Sequence, residues 1–495
     1  MVMKKGFNNE LYVEKQSQYI LERIKKFDNK LYLEFGGKLF DDLHASRVLC
    51  GFDPNAKIKL LSTLKDDAEI IFCINANDIQ RNKMRADFGI TYGDEVLRVI
   101  DNLREYGIYV SSIVITQFVD QTQALAFKQK LENRGEKVYI HRLTKGYPND
   151  VDTIVSDEGY GQNPYIETTR PLVVVTAPGP SSGKLATCLS QMYHEYKRGI
   201  NAGYAKFETF PVWNLPLKHP VNVAYEAATA DIQDVNMIDY FHLEAYGEKT
   251  VNYNRDLAVF PVVRTIINKI TGKELYKSPT DMGVNMVGNA IFDDEAICES
   301  AEQEVLRRYF KALCDVRDGK EKQATVDRIE MLMSELNLKP TDREVVVPSR
   351  ERSQNTGYPV VAIQTPNGKI VTGRQSELLS ASASSLLNAV KCIAGMPDDL
   401  KLIAQSAIDP VIDLKTNILK SKKSNLNAEE TLLALSVSAS LDEKAAQAMD
   451  CLKQLRGCEA HSTHIITNGE AQIFRKLGIN LTCDPQYVSF ELFSE

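Results

Sequence analysis

The chain predicts an α/β protein of several domains, whose N-terminal domain is a parallel sheet flanked by helices. Three observations carry this. Strand-like and helix-like runs alternate through the first half, the signature of a parallel sheet with crossover helices. At Val173-Val174-Val175-Thr176-Ala177-Pro178-Gly179-Pro180-Ser181-Ser182-Gly183-Lys184 an apolar run breaks into a Pro/Gly/Ser loop and resumes as an amphipathic stretch. From about Tyr225 strong β runs fade, to return after residue 340.

In order, residues 1 to about 27 read as a helix with Leu11, Ile20, Ile24 and Phe27 on one side. Strands are expected at Lys30 to Phe35, Asp67 to Asn75, Ile108 to Phe118 and Lys137 to Leu143. Helices separate them at Lys57 to Leu64, Asp94 to Glu105 and Gln121 to Arg134. The loop strand at Leu172, a helix from Leu185 to Arg198 and a strand from Ala202 to Thr209 complete a domain over 1–229. A mainly helical region over 230–340 follows, with long amphipathic helices at Ile291 to Val316 and Lys322 to Leu336. The C-terminal α/β domain, 341–495, opens on an expected strand at Val345-Val346-Val347. It continues with a hairpin from Tyr358 to Thr372 turned by Pro366-Asn367-Gly368. Helices at Glu377 to Ala394, Ala428 to Val437 and Glu443 to Leu455 precede strands at Ala460 to Ile466 and Asn480 to Cys483.

Strand, Gly-rich loop ending in Gly-Lys, then helix is the geometry of a phosphate cradle. Backbone N–H groups and the positive helix end converge, and a lysine adds a full charge. The P-loop pattern G-x-x-x-x-G-K-[ST] is met imperfectly. Pro178 holds the first glycine position, and Leu185 stands where a hydroxyl would bind Mg²⁺, with Ser181, Ser182 and Thr187 nearby. The order Gly-Lys, helix, Ala-Gly-Tyr-x-x-Lys resembles P-loop enzymes of the dethiobiotin-synthetase kind over these few dozen residues. A nucleotide or small phosphorylated ligand would then sit on Gly179, Ser181, Ser182, Gly183, Lys184 and Thr187. Lys206 would assist, and Asp231 or Asp281 would hold Mg²⁺. The bland alternative is a structural turn.

Gly36, Gly37 and Lys38 end the first strand and are a second anion candidate, or simply a tight turn. Asn75, Asn77, Asp78 and Arg81 read more readily as helix caps. The acidic, Gly-rich loop from Gly146 to Gly161 reads as a lid, a metal-binding loop or plain surface. Asn254, Arg255, Lys277 and Asn285 lie in polar, aperiodic stretches suited to substrate hydroxyl, carboxylate or phosphate groups. Cys458, His461 and His464 invite a zinc reading, but paired CxxC spacing is absent, so no metal ligands are assigned. Nucleophile-elbow, H-E-x-x-H and deaminase patterns are absent too.

A net charge of −7 with no long basic stripe argues against a nucleic-acid or anionic-membrane partner. No apolar run is long enough for a membrane helix, and Met1 to Gly6 leads into polar residues rather than a signal core. Nine cysteines without CxxC spacing suit free thiols in a cytoplasmic protein. A homo-oligomer, with the helical region as interface, is the expected assembly.

Four long strings, Leu33 to Asp42, Thr176 to Lys184, Phe207 to Leu217 and Lys277 to Asn285, resemble a bacterial family catalogued only as a domain of unknown function. The resemblance spans nearly the whole chain. It implies several subdomains, the last similar to a cytidine-deaminase-like layout without its zinc ligands. Members are at times labelled ATP-dependent peptidases, for which this chain shows no residues. No catalytic residues carry over. Phosphoryl transfer or ATP-driven ligation stands beside a non-catalytic phosphorylated-ligand sensor, and a metal-dependent hydrolase using the C-terminal histidines is the weaker third reading.

Overall fold

A computed structural model describes residues 5–85, 89–421 and 423–488. Met1 to Lys4 of the N-terminal reading and residues 489–495 of the C-terminal domain reading lie outside them. The described residues form two compact units, one from within 5–226 and 234–300 and a second from within 227–233 and 301–488. The stretch 230–340 is thus divided between them. It carries helices Tyr240–Tyr246, Asn254–Thr271, Asp294–Arg317 and Gln323–Glu335. It also carries an antiparallel ribbon, Asn236–Ile238 with Val251–Tyr253.

In the first unit a seven-stranded sheet runs in the order Gly283–Val284, Gly203–Phe207, Leu31–Phe35, Leu172–Thr176, Ala68–Asn75, Tyr109–Thr116, Val138–Ile140. All its pairings are parallel. The loop strand is therefore central, and Leu172 to Val175 are fully buried, as a strand covered on both faces requires. The helix Lys184–Lys197 that follows lies over the first strand. Its Gln191 donates to the Tyr32 hydroxyl (3.2 Å), which donates to Glu195 (2.6 Å). Helix Asn9–Lys25, capped by Asn8, buries Tyr12, Gln16, Ile20 and Ile24. Gln16 ties it to the edge strand, donating to the Val284 carbonyl (3.0 Å) and accepting from Met286 N–H (2.7 Å).

The second unit holds a four-stranded mixed sheet in the order Ile370–Arg374, Val360–Gln364, Glu459–Ser462, Asn480–Cys483. The hairpin forms around the expected turn, with Gly368 at φ +82°. The strand expected at Val345 to Val347 is instead the start of a helix, Val346–Thr356. Pro348 is tolerated in a first helical turn, and burial of Val345 and Val346 outweighs the β-propensity of three valines.

Two buried histidines predict acid sensitivity, one in each unit. Burial pushes His141 down to about 4 although its Nε2 faces the Pro164 carbonyl. Burial, helped by Lys423, pushes His464 down to about 4. Free histidine titrates near 6.5, so below that pH the unfolded chain binds protons that the native chain refuses. Stability is full above about pH 6.5 and falls towards pH 4, by up to about 3 kcal/mol per histidine. Urea titrations at stepped pH check this, and His141→Asn should flatten the loss in the first unit.

Candidate functional site

In a parallel sheet every strand delivers its carboxyl end to one edge, where ligands bind. Here that edge gathers Asn75, Thr116, the Thr176–Lys184 loop, Gly36-Gly37 and Glu208. The loop is fastened from behind. Thr116 donates to the Ser182 carbonyl (2.8 Å), and Asn75 and Gln117 donate to the Ser181 carbonyl (3.3 and 3.2 Å). Ser182 Oγ closes back on the Gly179 carbonyl (2.8 Å). Ser181 and Gly183 adopt positive φ, +56° and +80°, which turns successive N–H groups to the same side, as in an anion nest. A Cβ on Gly179 would stand 2.5 Å from the Tyr92 hydroxyl, and one on Gly183 would stand 2.9 Å from Thr116 Cβ. Among the described residues no acceptor meets the N–H of Ser181, Gly183 or Lys184, and the Lys184 ammonium has no ion-pair partner. Thr187 is buried, with Cys73 Sγ 3.4 Å from its hydroxyl, so it faces the sheet.

The other predicted residues are placed as follows. Gly36 N–H donates to the Phe207 carbonyl (3.1 Å) and is taken up by the fold. Gly37 has φ +73°, and the exposed Lys38 follows it. Beneath this turn the buried Lys57 pairs with Asp42 at 2.8 Å. Asp281 accepts from the Tyr246 hydroxyl (2.9 Å) and Lys277 N–H (2.8 Å), a turn-closing role away from the loop's contacts. The Lys277 ammonium lies over the Tyr246 ring at 5.6 Å. Asn285 is buried and holds the Thr209 and Pro211 carbonyls (3.3 and 3.0 Å). Asn254 pairs with the backbone of Val235 through its own N–H and its side-chain oxygen. Arg255 forms a two-point ion pair with Asp234 (2.5 and 2.7 Å). Asp231 is exposed and belongs to the other compact unit.

Lys206 is where the sequence reading falls short. Its register partner on the first strand is Glu34, whose other partner is Val175, next to the loop. Tyr32 and Glu34 share a face, since strand side chains alternate, so Glu34, Lys206 and Glu208 lie on the side that the loop helix covers. Lys206 does not project as a free phosphate ligand. It pairs with Glu208 at 2.8 Å and with Asp256, and donates to the Tyr253 hydroxyl. Burial opposes its charge, but Asp256 and Glu208 more than offset this and hold the ammonium well above the ordinary lysine range. Burial pushes Glu208 up against the pull of Lys206, Asp256 adds to the rise, and the carboxyl stands at about 7. The i, i+2 spacing of Lys206 and Glu208 on a strand was the available signal for this pair. Asp256 enters from a helix start 48 residues later than Glu208, where sequence spacing is silent.

A second group also went unread. His219 Nε2 lies 3.0 Å from Asp294 and 3.5 Å from Cys298 Sγ, close enough to form a metal-sized cluster. Its Nδ1 accepts from Val221 N–H (3.2 Å), which puts the ring proton on Nε2 and opposes metal binding there. At the C-terminus Cys458, His461 and His464 turn to separate partners. These are the Gln454 carbonyl, Thr482 with Asp484, and Ser462. In the loop from Gly146 to Gly161, Asp150 caps a short helix and Asp157 and Glu158 pair with Lys197 and Lys145. Among the described residues no helix is long and apolar enough to cross a membrane.

Fold and site define a mixed α/β protein, with a parallel seven-stranded sheet in its N-terminal part and a mixed sheet in its C-terminal part. Residues 5–337 match the family described as domain of unknown function DUF1846, N-terminal, and residues 341–493 match its C-terminal counterpart. The chain is 58% identical over 500 residues to a UPF0371 protein of Clostridium tetani (strain Massachusetts / E88), covering 99% of both chains. It is 57% identical over 500 residues, again covering 99% of both, to a UPF0371 protein of Clostridium botulinum (strain Alaska E43 / Type E3). The chain belongs to this uncharacterised DUF1846, or UPF0371, family.

Proposed function

We propose that the protein binds a nucleotide or another phosphorylated metabolite at the Gly179–Lys184 loop. The observation that carries the reading is the set of acceptor-free N–H groups at Ser181, Gly183 and Lys184, beside an unpaired ammonium, at the carboxyl edge of the central strand. A phosphate supplies the missing acceptors and the missing charge. Lys184 neutralises it and the backbone cradles it. Phosphoryl transfer or ATP-driven ligation, assisted by Mg²⁺, is the activity in keeping with such a cradle. A non-catalytic sensor, acting as a homo-oligomer, is the second reading, favoured by the engagement of Asp281 in its own turn. Nine cysteines without a disulfide support a cytoplasmic setting.

A thermal-shift series with ATP, GTP, pyrophosphate and sugar phosphates, with and without Mg²⁺, tests the reading. A ligand at a hundredfold its Kd adds roughly 2.7 kcal/mol of stability. Lys184→Ala should remove most of that shift while leaving the unliganded melting curve nearly in place, because among the described residues the Lys184 ammonium makes no hydrogen bond or ion pair. A shift that survives Lys184→Ala rejects the cradle.

A further inference from the structure

Glu208 and Asp256 both meet the ammonium of Lys206, and Glu34 stands beside it on the neighbouring strand. Two carboxylates meet this one ammonium, Glu208 buried and Asp256 partly exposed, so a proton on Glu208 would relieve the excess negative charge. Arg255 lies over the Tyr253 ring at 5.6 Å and is itself paired with Asp234. Tyr253 comes from the ribbon, Tyr225 from helix Pro220–Ala228, and Tyr204, which donates to Glu34 (2.8 Å), from the same strand. Two polar atoms of sequence neighbours are buried without a partner among the described residues: the Thr209 hydroxyl, one residue after Glu208, and the Asn252 amide nitrogen, one residue before Tyr253. Such atoms are costly unless water or a ligand meets them.

We propose that Glu208, sharing one proton with Asp256 across Lys206, is the acid–base group of the carboxyl-edge site and exchanges that proton with the far end of a ligand anchored by its phosphate at the loop. This rests on the phosphate reading above. Two strand spacings separate Lys206 from the loop strand, about 10 Å, so the ligand is an extended one. A nucleotide or a phosphorylated chain of similar reach fits, and inorganic phosphate alone does not. The step is a single proton transfer. The Glu208 carboxyl gives its proton to a ligand oxygen or nitrogen, and the resulting carboxylate is neutralised by Lys206. The reverse transfer restores the carboxyl. Asp256 and Lys206 are positioning residues.

The test follows the ¹³C carboxyl resonances of glutamate-labelled full-length protein across neutral pH, with and without ATP and Mg²⁺. Glu208→Gln identifies the resonance, and its Trp213 fluorescence reports that the unit is folded. The resonance should titrate near neutrality, and ATP should move its midpoint by about one unit. Asp256→Asn should lower that midpoint. Titration in the ordinary carboxylate range overturns the shared proton. A neutral midpoint that ATP leaves in place, although ATP stabilises the protein, overturns the link to the ligand. If no phosphorylated compound stabilises the protein, the phosphate reading fails and takes the ligand class with it, while the titration still decides the proton-sharing pair.

Discussion

Lys206→Met is expected to destabilise the first unit by about 3–5 kcal/mol, because it leaves the buried Glu208 and the partly buried Asp256 without their counter-charge. Methionine keeps most of the volume, so packing loss contributes little. The pH dependence separates charge from packing. Glu208 is raised to about 7 in the native protein, against about 4.3 for a free glutamate. A raised carboxyl favours the folded state below the unfolded value and loses that advantage as pH rises through 7. Without Lys206 the pair resists ionisation more strongly still, so the penalty should grow from pH 6 to pH 8. The double variant Lys206→Met/Glu208→Gln should recover part of it. Trp213 is the only tryptophan of the chain and lies in this unit, so its fluorescence in urea gives the measurement. A penalty that is small and flat with pH would mean that the ion pairs contribute little.

The second large effect is expected at Arg343, a fully buried guanidinium in the other unit. Its Nε donates to Thr482 Oγ1 (2.9 Å), and Nη2 reaches the Ala460 and Asn480 carbonyls (3.0 and 2.7 Å). Nη1 pairs with Glu459, which Arg307 also holds at 2.9 Å. One planar fork thus fastens the two parallel strands Glu459–Ser462 and Asn480–Cys483 to each other. Arg343→Met should cost about 3–5 kcal/mol, since it leaves one Glu459 oxygen and two strand carbonyls without the guanidinium, although Arg307 keeps its hold on the other Glu459 oxygen. Arg343→Lys should recover little of this, because an ammonium cannot span four acceptors in one plane. Urea unfolding followed by circular dichroism checks both variants. A loss below about 0.5 kcal/mol, within the range of ordinary surface substitutions, would show that water replaces the guanidinium.

Much of the fold is legible before any coordinates, and for a local reason. Strand and helix periods are written within ten to twenty residues, as at Val173 to Lys184, and parallel alternation then follows from the short connections. The hairpin turn at Asn367-Gly368 is equally local. Val345 to Val347 shows the limit. Three valines read as strand, yet burial of Val345 and Val346 in the core makes this a helix start.

The site divides along the same line. The strand–turn–helix setting of Gly183 and Lys184 was readable because a Gly-Lys turn between strand and helix carries its own geometry. Asp281 and Asn285 looked like ligands because both are polar and aperiodic, but neighbours from other segments engage them. By itself, then, the sequence determined the α/β class, most of the element order and the strand–loop–helix at Leu172 to Lys197, whose central place in the sheet came from the fold. Only the tertiary structure decided that Gly36 N–H goes to Phe207, that Lys206 is held by Glu208 and Asp256, and that Arg343 closes the second sheet. Those pairings join residues up to 171 positions apart in the chain, and a buried charge takes whichever partner the fold brings within reach, a choice that no spacing along the chain records.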